Sequence, residues 1–129
     1  MTAPLPTALA RYKNVQVTTC SPTELVVMLY DGVVRFTREA QQALKDGDRA
    51  RAGERTSRAH AILEQLLVTL DRKHDPALAE RLEGVYGFCM RRLMDANASK
   101  DAAAFDDVPR VLVPLRDAWA DVARRAGKK

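Results

Sequence analysis

Between Ser21 and Lys45 the apolar positions fall into two rows rather than one. At about 100° per residue, Leu25, Leu29, Phe36, Ala40 and Ala43 share one helical face with Met28 and Gly32 beside them, while Thr23, Val27, Tyr30, Val34, Thr37 and Gln41 form another. One row serves a core, and the second needs its own cover: a neighbouring helix or an outside partner. The start of this helix is well marked. Ser21 caps the first turn, Pro22 suits the first helical position because its missing N–H would be unbonded anyway, and Glu24 completes a capping box. Asp46-Gly47-Asp48 ends it and opens the next, with Gly47 free to take positive φ and Asp48 able to cap.

From Asp48 to about Leu70 the residues Ala52, Ala59, Ile62, Leu63, Leu66, Leu67 and Leu70 recur at spacings of three, four and seven, which predicts a second long helix. Asp71 to Asp75 is a charged connection. Asp75-Pro76 then repeats the cap-and-proline signal, and Leu78, Leu82, Val85, Cys89, Leu93 and Ala96 form a third stripe, with Met90 and Met94 off it beside Gly87. A last helix begins near Lys100-Asp101 and carries Phe105, Val108, Leu112, Leu115, Trp119 and Val122. Pro109 and Pro114 predict a bend or a late start in it, because proline removes a backbone donor from a helix interior. The prediction is all-α: an antiparallel up-down four-helix bundle over residues 21–126. Residues 1–20 form a short N-terminal helical or extended segment, too brief to be stable alone, in which Leu9, Tyr12 and Val15 offer apolar contacts.

Composition adds exclusions more than chemistry. A chain of 129 residues that is 47% hydrophobic and 5% aromatic fits one domain with a real core. It has no apolar run near the roughly 20 residues that span a bilayer and no secretory signal pattern, so a cytoplasmic protein without membrane insertion is expected. Cys20 and Cys89 stand apart from each other and from ligand-spaced histidines, as two reduced thiols would. A di-metal bundle site would need Glu-x-x-His pairs, but neither His60 nor His74 has a glutamate three residues before it. Phosphate loops, a Cys-His pairing and a nucleophile elbow are also missing, so no enzyme activity, cofactor or metal is expected. The formal charge of +4 owes much to Arg124, Arg125, Lys128 and Lys129 at the end of the chain. Arg49, Arg51, Arg55, Arg58, Arg91 and Arg92 keep a nucleic-acid-binding or general interaction module as the alternative. Acidic residues are interspersed among them and aromatics are not, so no nucleic acid is expected.

Leu9 and Tyr12, followed by Ser21-Pro22-x-Glu24-Leu25-Val26-x-Met28-Leu29-Tyr30-Asp31-Gly32, Gly47-Asp48, Arg91-Arg92-Leu93-x-x-Ala96-Asn97 and Trp119, resemble the flagellar secretion chaperone family, FliS, over roughly residues 9–122. The resemblance implies a chaperone for flagellum assembly and type III secretion. Such a protein binds the C-terminal segment of flagellin, prevents its premature polymerisation and delivers it to the flagellar export gate. A cargo segment that folds on binding loses entropy, so its receptor needs long apolar grooves. Val27, Tyr30 and Val34 are the candidate lining on the first helix, and Met90 and Met94 the adaptable second wall. Val68 extends the groove, with His60 and Leu67 on the same helix. The resemblance also makes Leu9, Tyr12 and Val15 a cap over the cargo surface or an export-gate docking element; the plainer reading is an amphipathic anchor. Three features depart from the family pattern: the glycine-free connection Asp71-Arg72-Lys73-His74-Asp75, Cys20, and the two late prolines.

Overall fold

The first three helices start where a side chain satisfies a free backbone donor. In the computed structural model, which describes residues 21–127, the elements are α1 (Pro22–Lys45), α2 (Arg49–Val68), α3 (Pro76–Ser99), a 3₁₀ turn (Ala102–Asp106) and α4 (Asp107–Gly127). The Ser21 hydroxyl accepts from the Glu24 N–H at 3.1 Å and the Glu24 carboxylate accepts from the Ser21 N–H at 2.6 Å, the reciprocal capping box anticipated from sequence. Asp48 accepts from the Arg51 N–H at 3.0 Å and Asp75 from the Leu78 N–H at 3.1 Å.

The connections are equally local. Gly47 turns the chain at φ 79°, letting the Asp48 N–H reach the Ala43 carbonyl at 2.8 Å. The glycine-free second connection is built by Asp71, whose Oδ1 accepts from the N–H groups of Lys73 and His74 at 3.2 and 3.1 Å. An aspartate turn of this kind does by side-chain hydrogen bonding what a glycine would do by backbone freedom. Lys100 ends α3 in the left-handed region at φ 56°.

The four helices form an antiparallel up-down bundle, with α1 between α2 and α4 and α3 closing the ring. Tyr30, Val33, Leu63, Tyr86, Leu93, Phe105, Val108 and Leu112 fill the interior, and Ala40, Ala59 and Ala96 are buried among them. Burying side chains of this size contributes roughly 1.5–3 kcal/mol each, offset by the ordering of the chain. Thr37 and Thr56 are buried too, each donating its hydroxyl to the carbonyl four residues back at 2.7 Å. Phe105, on the 3₁₀ turn, packs into the same core, and Gln41 ties that turn to α1 by donating to the Ala102 carbonyl and to Asp106, both at 2.8 Å.

The late start expected of the last helix is observed. Its first residues form the 3₁₀ turn, and α4 begins only at Asp107, so Pro109 falls in the first turn, where its missing N–H costs no bond. Pro114 lies inside α4.

Candidate functional site

Both apolar rows of α1 are covered by the bundle itself. Toward α2, a Cβ on Gly32 would stand 3.1 Å from Ile62, Glu39 pairs with Arg55 at 2.7 Å, and the Arg58 guanidinium lies over the Phe36 ring. Toward α4, the Trp119 indole donates to the Tyr30 hydroxyl at 3.3 Å and Arg116 pairs with Asp31 at 2.8 Å. The row read as a cargo groove therefore meets α4 through Tyr30. Tyr30 is fully buried and corrects the expectation most clearly, since its hydroxyl also meets that of Tyr86 at 2.6 Å, with the two rings edge to face. Val27 is buried, and Val34 is partly buried and packed on the core. The physical reason is the position of α1: a helix with two long neighbours needs two apolar rows for them alone.

The second wall fares differently. Met90 and Met94 line an open cleft of about 400 Å³ between α2 and α3, together with His60 and Leu67 from α2 and with Gly87, Arg91 and Asp95 from α3. Met90 reaches down to the core, while Met94 is 52% exposed. Val68, next to Leu67 at the end of α2, is 78% exposed. Of the six groove residues named from sequence, the structure thus brings Met90 and Met94 together in the cleft, while Val68 is exposed and not part of its lining. Leu9, Tyr12, Val15 and Cys20 lie outside the described residues.

The cleft suits binding rather than reaction chemistry. Its walls are largely apolar and its methionines can repack around different side chains, while His60, Arg91 and Asp95 add polar groups, His60 Nδ1 lying 3.5 Å from Glu64. Among the described residues no group of three or more potential metal ligands occurs, and no helix is long and apolar enough to cross a membrane. Cys89 is buried in the core, and burial pushes its thiol up to about 12.

The arginines read as a basic surface are partly neutralised. Arg55 pairs with Glu39 and Glu54, and Arg58 with Glu54. Hydrogen bonds from Arg58 and then Arg55 hold the Glu54 carboxyl below its usual range. Arg92 and Arg110 converge on Asp107, which the Arg92 hydrogen bond likewise holds low. Sequence reasoning missed Gly87, Arg91 and Asp95 as parts of the cleft. The available signal was their position on the same flank of α3 as the two methionines.

The family model described as "Flagellar protein FliS" matches residues 5–126, nearly the whole chain. The chain belongs to the FliS family. The FliS flagellar secretion chaperone of Bacillus subtilis is 34% identical over 108 residues, covering 84% of this chain and 80% of that one. Its Salmonella typhimurium counterpart is 32% identical over 111 residues, covering 85% and 82%. A solved structure titled as a flagellar chaperone from bacteria superposes with a TM-score of 0.77 over 95% of this chain and 99% of its own, at 19% identity, and so supports the fold. The FliS relatives are named as chaperones and not as enzymes, and membership of their family makes this chain a flagellar export chaperone.

Proposed function

We propose that this FliS-family chain acts in the cytoplasm, holds the C-terminal segment of flagellin, prevents its premature polymerisation and delivers it to the flagellar type III export gate. The observation that carries the proposal is the open apolar cleft between α2 and α3 in a chain of this family. A segment that is unstructured before binding needs continuous apolar surface to offset the entropy it loses on ordering. Leu67, Met90 and Met94 supply such a surface, and exposed Val68 extends it. The row Val27, Tyr30 and Val34 is left out of this groove because Val27 and Tyr30 are buried and Val34 is packed on the core. Leu9, Tyr12 and Val15 are assigned to a cap segment that covers part of the cargo surface or engages the export gate.

Calorimetry of the full chain with the C-terminal segment of flagellin from the same genome tests this. The expected result is one-to-one binding with a negative heat-capacity change, the mark of apolar burial. No measurable binding at high micromolar peptide would refute it.

A further inference from the structure

Two adjacent arginines on α3 are engaged very differently. Arg92 donates through Nε to Asp107 Oδ2 at 3.0 Å and reaches the same oxygen through Nη2, so its charge is tied to the start of α4. Arg91 has no acidic partner within ion-pair distance among the described residues, and it stands in the wall of the α2–α3 cleft. One turn earlier is Gly87. A Cβ there would meet Arg91 Nη1 at 3.3 Å, so the guanidinium lies folded back over bare helix backbone, the direction long helical side chains favour.

Among the described residues, the one side chain near the absent Cβ of Gly87 is the movable end of Arg91, and glycine in a helix interior is disfavoured relative to alanine. Gly84, also on α3, has no described residue within 4 Å of a built Cβ and lies outside the cleft. Gly87 thus leaves a seat that places an unpaired positive charge beside an apolar wall.

We propose that Arg91, seated over Gly87, reads a carboxylate on the segment that docks in the α2–α3 cleft. The occupant is an amphipathic helix bearing an acidic side chain at the border of its apolar face. This rests on the reading of the cleft as the cargo groove. Covering the cleft removes water from the guanidinium, which strengthens a charge-assisted hydrogen bond and penalises a segment that leaves the charge unpaired. Arg91 therefore contributes selectivity as well as affinity. Asp95, one turn further along the same wall, repels a carboxylate at its own end. The acidic residue consequently lies toward the Gly87 end, which fixes where along the cleft it sits.

The test is titration of the full chain and its variants with the flagellin C-terminal segment at several salt concentrations. Arg91→Ala should weaken binding roughly tenfold, the factor that corresponds to one charge-assisted hydrogen bond, and flatten the salt dependence, with the melting temperature unchanged. Gly87→Leu should weaken binding by displacing the guanidinium, whereas Gly84→Ala should leave it unchanged. Asp95→Asn should tighten binding by removing the repulsion. Replacing the acidic residues of the segment one at a time should find one whose effect disappears in the Arg91→Ala background. Equal affinity and equal salt dependence for Arg91→Ala and wild type, or no coupled acidic residue, would overturn the inference while the cargo reading stands. Failure of the wild-type chain to bind the segment would overturn both.

Discussion

Removing the hydroxyls that join Tyr30, Tyr86 and Trp119 should show that one buried polar link ties three helices of the bundle together. The Tyr30 and Tyr86 oxygens are 2.6 Å apart in the core, and Trp119 Nε1, which can only donate, reaches the Tyr30 oxygen at 3.3 Å. Tyr86→Phe deletes one of these bonds and leaves the Tyr30 hydroxyl with Trp119 as its remaining partner. Its cost should be about 1–2 kcal/mol, the range for a lost buried hydrogen bond with partial compensation. Tyr30→Phe deletes both bonds and leaves the Tyr86 hydroxyl buried without its partner, which raises the expected cost to about 2–3 kcal/mol. The double Phe variant leaves neither phenol unpaired, and the Trp119 indole is only partly buried. It should therefore be no less stable than Tyr30→Phe alone. Urea unfolding followed by far-ultraviolet circular dichroism gives the three midpoints, and an unchanged m-value confirms that stability alone has moved. Additive costs in the double variant would refute the reasoning, because two residues sharing one hydrogen bond cannot lose it twice.

The same core sets the response to alkali. Burial raises the ionisation of Tyr30 and Tyr86 above the usual phenol value and pushes Cys89 up to about 12. All three groups hold their protons more tightly when folded, so their contribution is fully present below the unfolded-state values, near 9 for the thiol and 10 for the phenols. It is lost as pH rises through the folded-state values. The urea midpoint should accordingly fall steadily above about pH 9; a flat profile to pH 11 would contradict this. Cleft and core should separate under mutation. Met94→Asp, on a half-exposed side chain, should weaken flagellin binding while changing stability by no more than about 0.5–1 kcal/mol, whereas Leu93→Ala, fully buried one residue earlier, should cost about 2–5 kcal/mol. Comparable melting temperatures for the two variants would place the wall of the cleft in the core.

Helix positions were legible because their signals are local. Ser21, Glu24, Asp48 and Asp75 cap the turns in which they sit, and Gly47 adopts the backbone angle that its turn demands. The two α1 rows were legible as well, but what covers them was not. Periodicity shows that Val27, Tyr30 and Val34 form a row, yet a neighbouring helix and a bound cargo leave the same pattern in sequence. Here α4 decides it, with Trp119 reaching Tyr30 across 89 positions of the chain. The role of Tyr86 is not legible for the related reason that its hydrogen-bond partner lies 56 positions away in the chain. Met90 and Met94 were recognisable because they stand off the apolar stripe of their own helix. The roles of Gly87 and Arg91 depend on how one long side chain folds back over the helix, which spacing does not encode.

Hydrogen exchange of the full chain with and without full-length flagellin shows whether the α2–α3 cleft is the surface that holds it. Bound flagellin should slow exchange at residues 60–68 of α2 and 87–95 of α3, while the buried face of α1 around Val33 and Thr37 changes little because it is already protected. Binding accompanied by new protection elsewhere, with those two stretches of α2 and α3 exchanging as in the free protein, would contradict that role of the cleft.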